Sequence, residues 1–235
     1  QPSRYYGTRA PISEVIPKRV AILVILAQPP ISLTKIFSMK LVAVGTVAFD
    51  SIETPFDKRE RVVGGAATYI TLCASHFLPG CGLVSVVGDD FPNDMLQDMT
   101  NRGIDQAGLQ IKAGEKSFYW SGKYHFDLNS RDTLVTDLNV LAEFDPIIPT
   151  SYKQCDFLML GNLAPAVQMK VIQQMEPRPK LVVLDTMNFW MDIAWDELMA
   201  VIAKIDVLTI NDEEARQMAK EHSLVKAARK ILAMG

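Results

Sequence analysis

Several polar side chains in this sequence stand where chemistry could be done. Asp50 closes the apolar run Leu41-Val-Ala-Val-Gly-Thr-Val-Ala-Phe-Asp50. An ionised carboxylate accepts several hydrogen bonds and can grip two neighbouring hydroxyls. Gly64-Gly65 follow, and paired glycines let the backbone approach a ligand and aim N–H groups from a helix start. Near the other end, Asn211-Asp-Glu-Glu214 places an Asn before an acidic first turn. That is good capping and dipole chemistry. A carboxylate there could also act on Mg²⁺ through water, since Mg²⁺ keeps several waters and takes few protein ligands. Asp185 and Asn188 lie in Leu184-Asp-Thr-Met-Asn-Phe-Trp190, and Asn162 in Gly161-Asn-Leu-Ala-Pro165. Each of these residues also serves in ordinary turns and caps. What joins them is place: each follows a strand candidate, and open α/β sheets bind ligands outside the carboxyl ends of their strands. A polyhydroxyl or phosphate ligand suits such a set.

The elements that would position these groups alternate. Leu41–Val44, Leu83–Val87, Phe157–Leu160, Leu181–Leu184 and Val207–Ile210 read as buried strands. Glu60–Val63 is a shorter strand candidate. Helices are predicted over Ala66–Leu78, from an Asn93 cap to about Arg102, over Pro165–Met175 with Pro first, and over Trp195–Ile205, Asp212–Glu221 and Leu224–Met234. The rhythm implies a mostly parallel sheet covered on both faces. Residues 116–138 break it: Phe118, Trp120, Tyr124 and Phe126 recur at even spacing, as on one face of a strand. This aromatic ribbon reads as a flap or as a plain hairpin on the body.

Composition narrows the class. The 235 residues carry 24 basic and 27 acidic side chains, a net charge of −3, with 49% apolar residues. No basic run marks a nucleic-acid surface. The cysteines, Cys73, Cys81 and Cys155, show no C-x-x-C spacing, and no H-E-x-x-H occurs. Reduced thiols and a cytoplasmic location are expected. G-x-G-x-x-G, G-x-x-x-x-G-K-[ST] and G-x-S-x-G are all missing, which argues against a dinucleotide fold, a P-loop enzyme and an esterase elbow. Val20–Ala27, the longest apolar run near the start, is too short to span a membrane.

Both ends carry expectations. The chain opens on Gln1, Met39 stands directly before the first convincing strand, and five prolines precede it. Residues 1–38 are expected to lie outside the fold, and residues 39–235 to form one domain. The last helix runs out at Gly235, where the rhythm calls for another strand, so the C-terminal part of the sheet is expected to be missing.

The order Gly45-Thr-Val-Ala-Phe-Asp50, Gly64-Gly-Ala-Ala-Thr-Tyr69, Val87-Gly-Asp-Asp-Phe91, Arg102-Gly-Ile-Asp105 and Asn211-Asp-Glu-Glu214 resembles the PfkB/ribokinase family of small-molecule kinases, over about residues 40–235. The resemblance implies a three-layer α/β/α domain with a small β lid, to which the ribbon near 116–138 would belong. It implies transfer of the γ-phosphoryl group of ATP, with Mg²⁺, to a hydroxyl of a sugar, with a nucleoside as the near alternative. A non-catalytic sugar-binding module is the reading of a different class. On the resemblance, Asp50, Gly64, Gly65, Tyr69 and Asn162 line the substrate pocket. Asp185, Asn188 and Asn211 face the nucleotide, and Glu214 organises Mg²⁺ through water. Tyr69 stands where ribokinases often carry Asn, which turns the expectation away from ribose itself. The family's D-x-x-G-A-G-D, which supplies the catalytic base and anion hole, does not occur here and is expected beyond Gly235. Residues 1–235 alone are therefore expected to be nearly inert. No nucleic acid or membrane partner is implied, and the lid leaves room for a homodimer.

Overall fold

The computed structural model describes residues 41–128 and 130–235. The expectation for residues 1–38 lies outside the described residues. In chain order the elements are β1 (Leu41–Val44), β2 (Ala48–Glu53), β3 (Lys58–Gly64), α1 (Ala66–Ser75), β4 (Gly82–Gly88), α2 (Asn93–Asn101), β5 (Asp105–Lys112), β6 (Tyr119–Tyr124), β7 (Arg131–Asp137) and a 3₁₀ turn (Asn139–Leu141). Then come β8 (Phe157–Leu160), α3 (Pro165–Gln174), β9 (Leu181–Asp185), α4 (Asn188–Ile193), α5 (Trp195–Ile202), β10 (Val207–Thr209), α6 (Asp212–Ala219) and α7 (Leu224–Leu232).

The aliphatic runs make a six-stranded sheet in the order β10-β9-β8-β1-β4-β5. Every pairing in it is parallel. Parallel strands covered on both faces read as continuous apolar runs, and β4 is buried along its whole length. One core unites β1, β8, β9 and β10 with α3, α5, α6 and α7, around Leu158, Leu160, Leu184 and Leu198. A second, around Leu83, Val87, Phe91 and Met99, joins β4 to α2. From β1 the chain builds to β4 and β5 on one side, then returns to build β8, β9 and β10 on the other. The direction reverses between β1 and β8, and a crevice opens at such a switch point.

The ribbon is part of a separate four-stranded sheet, β3-β2-β6-β7. β2 and β6 run parallel, while β2–β3 and β6–β7 are antiparallel. This sheet is the small β lid. All residues of β7 are exposed.

Three local expectations are corrected. β2 and β5 are strands that the residue pattern did not show. Residues 188–193 form a short helix that the residue pattern did not show either. Asn93 is the first residue of α2, and Pro92 takes the N-cap position with no side-chain cap bond.

Candidate active site

Four glycine and threonine positions shape the crevice. Gly65 has φ 95, a left-handed conformation that favours glycine, and a Cβ there would collide with the Thr46 carbonyl. A Cβ on Gly45 would stand 3.4 Å from Cα of Gly161, so the ends of β1 and β8 meet closely. Thr46 anchors the start of α1: its Oγ1 accepts from the Ala66 N–H at 2.9 Å and its carbonyl from the Ala67 N–H at 2.9 Å. The sequence alone did not reveal Thr46 as an anchor.

Asp50 lies on β2, in register with Val62 on β3 and Trp120 on β6, so these three side chains share one face of the lid. Its carboxylate accepts from the Gly65 N–H, and burial pushes it above the usual carboxylate range. Gly64 is small for the same reason, since a Cβ there would collide with the Asp50 carboxylate. Asp50, Gly64 and Gly65 are thus one unit. On the same face the indole of Trp120 lies over Gly122, where a Cβ would strike the ring. Trp120 Nε1 donates to Thr133 at 3.3 Å. Tyr69 stands apart on α1, 59% exposed, its hydroxyl 3.3 Å from the Val63 carbonyl.

The remaining residues stand at the ends of β8, β9 and β10. Neighbouring strands place them along a line from β1 to β10 of three strand spacings, about 14 Å. The Asn162 side chain is held by its neighbours: Oδ1 accepts from Trp190 Nε1 at 2.8 Å and Nδ2 approaches the Met187 sulfur at 3.0 Å. Its backbone N–H, with that of Thr186, donates to the Asp185 carboxylate. Asn188 is exposed and accepts from the Phe189 N–H.

Asn211 and Glu214 form a complete capping box. The Asn211 Oδ1 accepts from the Glu214 N–H at 2.8 Å, and a Glu214 carboxylate oxygen accepts from the Asn211 N–H at 2.9 Å. Glu214 is nevertheless buried, and burial pushes its carboxyl up, against the Asn211 N–H and the charge of Arg131. Arg131 opens β7, 5.9 Å from the Trp120 ring centroid, so a lid cation faces the Glu214 side. Nothing in the residue pattern pointed to Arg131.

Asp185 is pushed up from 3.8 to about 6, first by burial and then by the charge of Glu214. Two partly desolvated carboxylates that repel each other suit a cation between them. Among the described residues no cluster of three or more ligating side chains exists. Mg²⁺ held through water needs no such cluster. The protonated Asp185 is the form that the fold prefers, so it contributes stability below about pH 4 and loses it as the pH rises through about 6. Without Mg²⁺, urea unfolding should show a loss on the order of 3 kcal/mol across that window. Asp185→Asn should abolish it and be the more stable protein at pH 8. A wild-type curve that is flat from pH 4 to 7 would show that Asp185 is not held in this way.

A parallel sheet with polar groups lined up at its switch point, beside a small β lid that carries a carboxylate, is the architecture of the ribokinase-like fold. The chain belongs to the PfkB family of carbohydrate kinases, whose model matches residues 39–235. It is 27% identical over 195 residues to a cytidine kinase of Thermococcus kodakarensis, a match over 81% of this chain and 68% of that protein. Among solved structures, a ribokinase II from E. coli in complex with ATP and Mg²⁺ superposes with a TM-score of 0.65 at 17% identity, covering 84% of this chain and 70% of that one. Arabidopsis thaliana ribokinase complexed with ribose and ATP gives 0.62 at 15% identity, covering 84% and 69%.

Proposed function

We propose that this chain is an ATP- and Mg²⁺-dependent kinase that directs the γ-phosphoryl group to a hydroxyl of a sugar ring. The observation that carries the reading is the Asp50–Gly64–Gly65 unit. A desolvated carboxylate, held from behind by a backbone N–H, presents acceptor oxygens beside the switch point. Such a group suits neighbouring ring hydroxyls. Bound ATP and Mg²⁺ supply the phosphoryl group and neutralise charge during transfer. The chain's own residues bind and orient. Asp185 and Glu214 would hold the water shell of the metal, with Asn211 fixing Glu214. Asn162 acts through its N–H on Asp185, and Asn188 borders the nucleotide end, while Tyr69 stays apart from the Asp50 unit.

A nucleoside as acceptor is the second reading. It is favoured by Trp120, an indole on the face and in the register of Asp50, and by the likeness to a cytidine kinase. On the family resemblance the proton acceptor would come from a D-x-x-G-A-G-D segment, which residues 1–235 do not contain, so this stretch is expected to bind both ligands and to be nearly inert in turnover. The unpaired cysteines suit a reducing cytoplasm. No helix among the described residues is long and apolar enough to cross a membrane. The exposed Leu134, Val135 and Leu138 in and beside β7 would be covered by a second lid in a homodimer.

The test is a panel of sugars and nucleosides, read by thermal shift on this chain and by ADP formation in a longer chain carrying D-x-x-G-A-G-D. At least one sugar or nucleoside should raise the melting temperature and drive ADP release. A panel with no shift, from acceptors or from ATP with Mg²⁺, sinks the reading.

A further inference from the structure

The lid is fastened to the body from behind, by Arg61 on the strand that leads into Gly64. β3 carries one residue more than β2 opposite it: Asp50 pairs with Val62 and Ile52 with Arg59, so Glu60 and Arg61 both stand across from Ser51. Arg61 takes φ 48, a left-handed conformation that side chains other than glycine seldom adopt. Its N–H donates to Ser51 Oγ at 2.9 Å. Bulges of this kind re-aim a side chain. Here the guanidinium is turned onto the Phe49 ring, 4.3 Å from its centroid, while Nη2 reaches Asp90 Oδ2 at 3.3 Å. Phe91 stands on Phe49 too, with ring centroids 5.4 Å apart.

Asp90 is itself fixed. Its Oδ1 accepts from the N–H and the hydroxyl of Ser117, each at 2.7 Å, and Ser117 Oγ accepts from the Gly88 N–H at 3.0 Å. These bonds lock the end of β4 to the strand entering the lid. Among the described residues, Arg61–Asp90 is the sole ion pair between the lid sheet and the body. It spans a crease of about 610 Å³ behind the lid, bordered by Ser51, Lys116, Tyr119 and Asp137.

Phe49 and Asp50 are successive residues of β2 and point to opposite faces. Whatever sets the roll of β2 through Phe49 therefore sets the angle of Asp50 toward the acceptor. We propose that Arg61 is a positioning residue: bridging Phe49 and Asp90 across the crease, it aims Asp50 at the acceptor and couples the lid to the end of β4. The inference rests on the kinase reading of the Asp50 face. The bulge is what lays a long, still largely exposed cation across the Phe49 ring rather than leaving it in solvent.

The experiment replaces Arg61 with Gly, which accepts the left-handed backbone and removes only the side chain, and Asp90 with Asn. Calorimetric titrations use D-ribose and cytidine, which share a furanose diol, and separately ATP with Mg²⁺. Arg61→Gly should weaken ribose or cytidine binding about 5- to 20-fold, which is about 1–1.8 kcal/mol. ATP with Mg²⁺ should bind within about twofold of wild type, and Arg61→Lys should recover part of the loss. Asp90→Asn should weaken the same acceptors, and the double variant should lose less than the product of the two single losses. Unchanged acceptor binding in Arg61→Gly overturns the proposal while leaving the kinase reading intact. Parallel loss of acceptor, nucleotide and melting temperature overturns it as well, by showing a merely structural role. Wild-type protein that binds neither these two nor any other sugar or nucleoside of the panel sinks the reading of Asp50 and this inference with it.

Discussion

Replacing Asp50 with Asn is expected to weaken cytidine or D-ribose binding about ten- to a hundred-fold, since hydrogen bonds to a charged group contribute about 1.5–3 kcal/mol and each decade is 1.4 kcal/mol. The fold should not suffer. Burial already makes the charged form of Asp50 costly, and a neutral amide of the same shape avoids that cost while still accepting from the Gly65 N–H. Binding of ATP with Mg²⁺, at the far end of the site, should stay as it was. Gly64→Ala offers an independent route to the same result, because its methyl group would push the Asp50 carboxylate aside without altering the charge. Calorimetric titration of both variants decides the matter. If Asp50→Asn binds both furanoses as wild type does, the carboxylate serves only to hold Gly65 and the start of α1.

The parts of this protein that could be read from its residues are those that local chemistry dictates. Continuous aliphatic runs revealed β1, β4, β8, β9 and β10, because strands covered on both faces leave no room for polar side chains. Asn211 and Glu214 revealed their capping box, since it is written within four residues. β2 and β5 were hidden. Ala-Phe-Asp-Ser-Ile-Glu and Asp-Gln-Ala-Gly-Leu-Gln-Ile-Lys alternate polar and small groups, one in the half-exposed lid and one at a sheet edge. The even spacing of aromatics announced β6, yet nothing in it told that β6 would pair in parallel with β2, a partner some seventy residues away in the chain. That pairing is what places Trp120 beside Asp50.

Arg61 and Arg131 show the same limit more sharply. In sequence, Arg61 is one more charge in Lys58-Arg-Glu-Arg61. Only the register of β3 against β2 shows an extra residue, and only the extra residue turns the side chain onto Phe49. Arg131 likewise becomes relevant only once β7 has folded back along β6. Asp185 and Glu214 were each legible as residues after a strand. Their mutual repulsion depends on β9 and β10 being neighbours, which the sheet order supplies.

That repulsion gives Glu214→Gln its expected outcome. Glutamine keeps the length of the side chain and an oxygen for the Asn211 N–H, and the backbone N–H at 214 still donates to Asn211, so both arms of the capping box survive and α6 should form as before. First-turn acids contribute only about 0.3–1 kcal/mol to a helix. Removing the charge from a buried carboxyl that is already pushed up should offset much of this, so stability is expected to change little or to rise. The metal side should respond differently. A group that orients a metal's water shell typically contributes 10- to 100-fold to affinity or activity, and a neutral amide cannot replace its charge, so the Mg²⁺-dependent part of ATP affinity should fall by roughly that factor. ATP binding without Mg²⁺ should improve slightly, because a negative charge near the phosphates has gone. The measurement is ATP affinity across a Mg²⁺ titration, set beside a urea unfolding curve for the same variant. A variant that loses stability but keeps the wild-type Mg²⁺ dependence would leave Glu214 as a helix cap and nothing more.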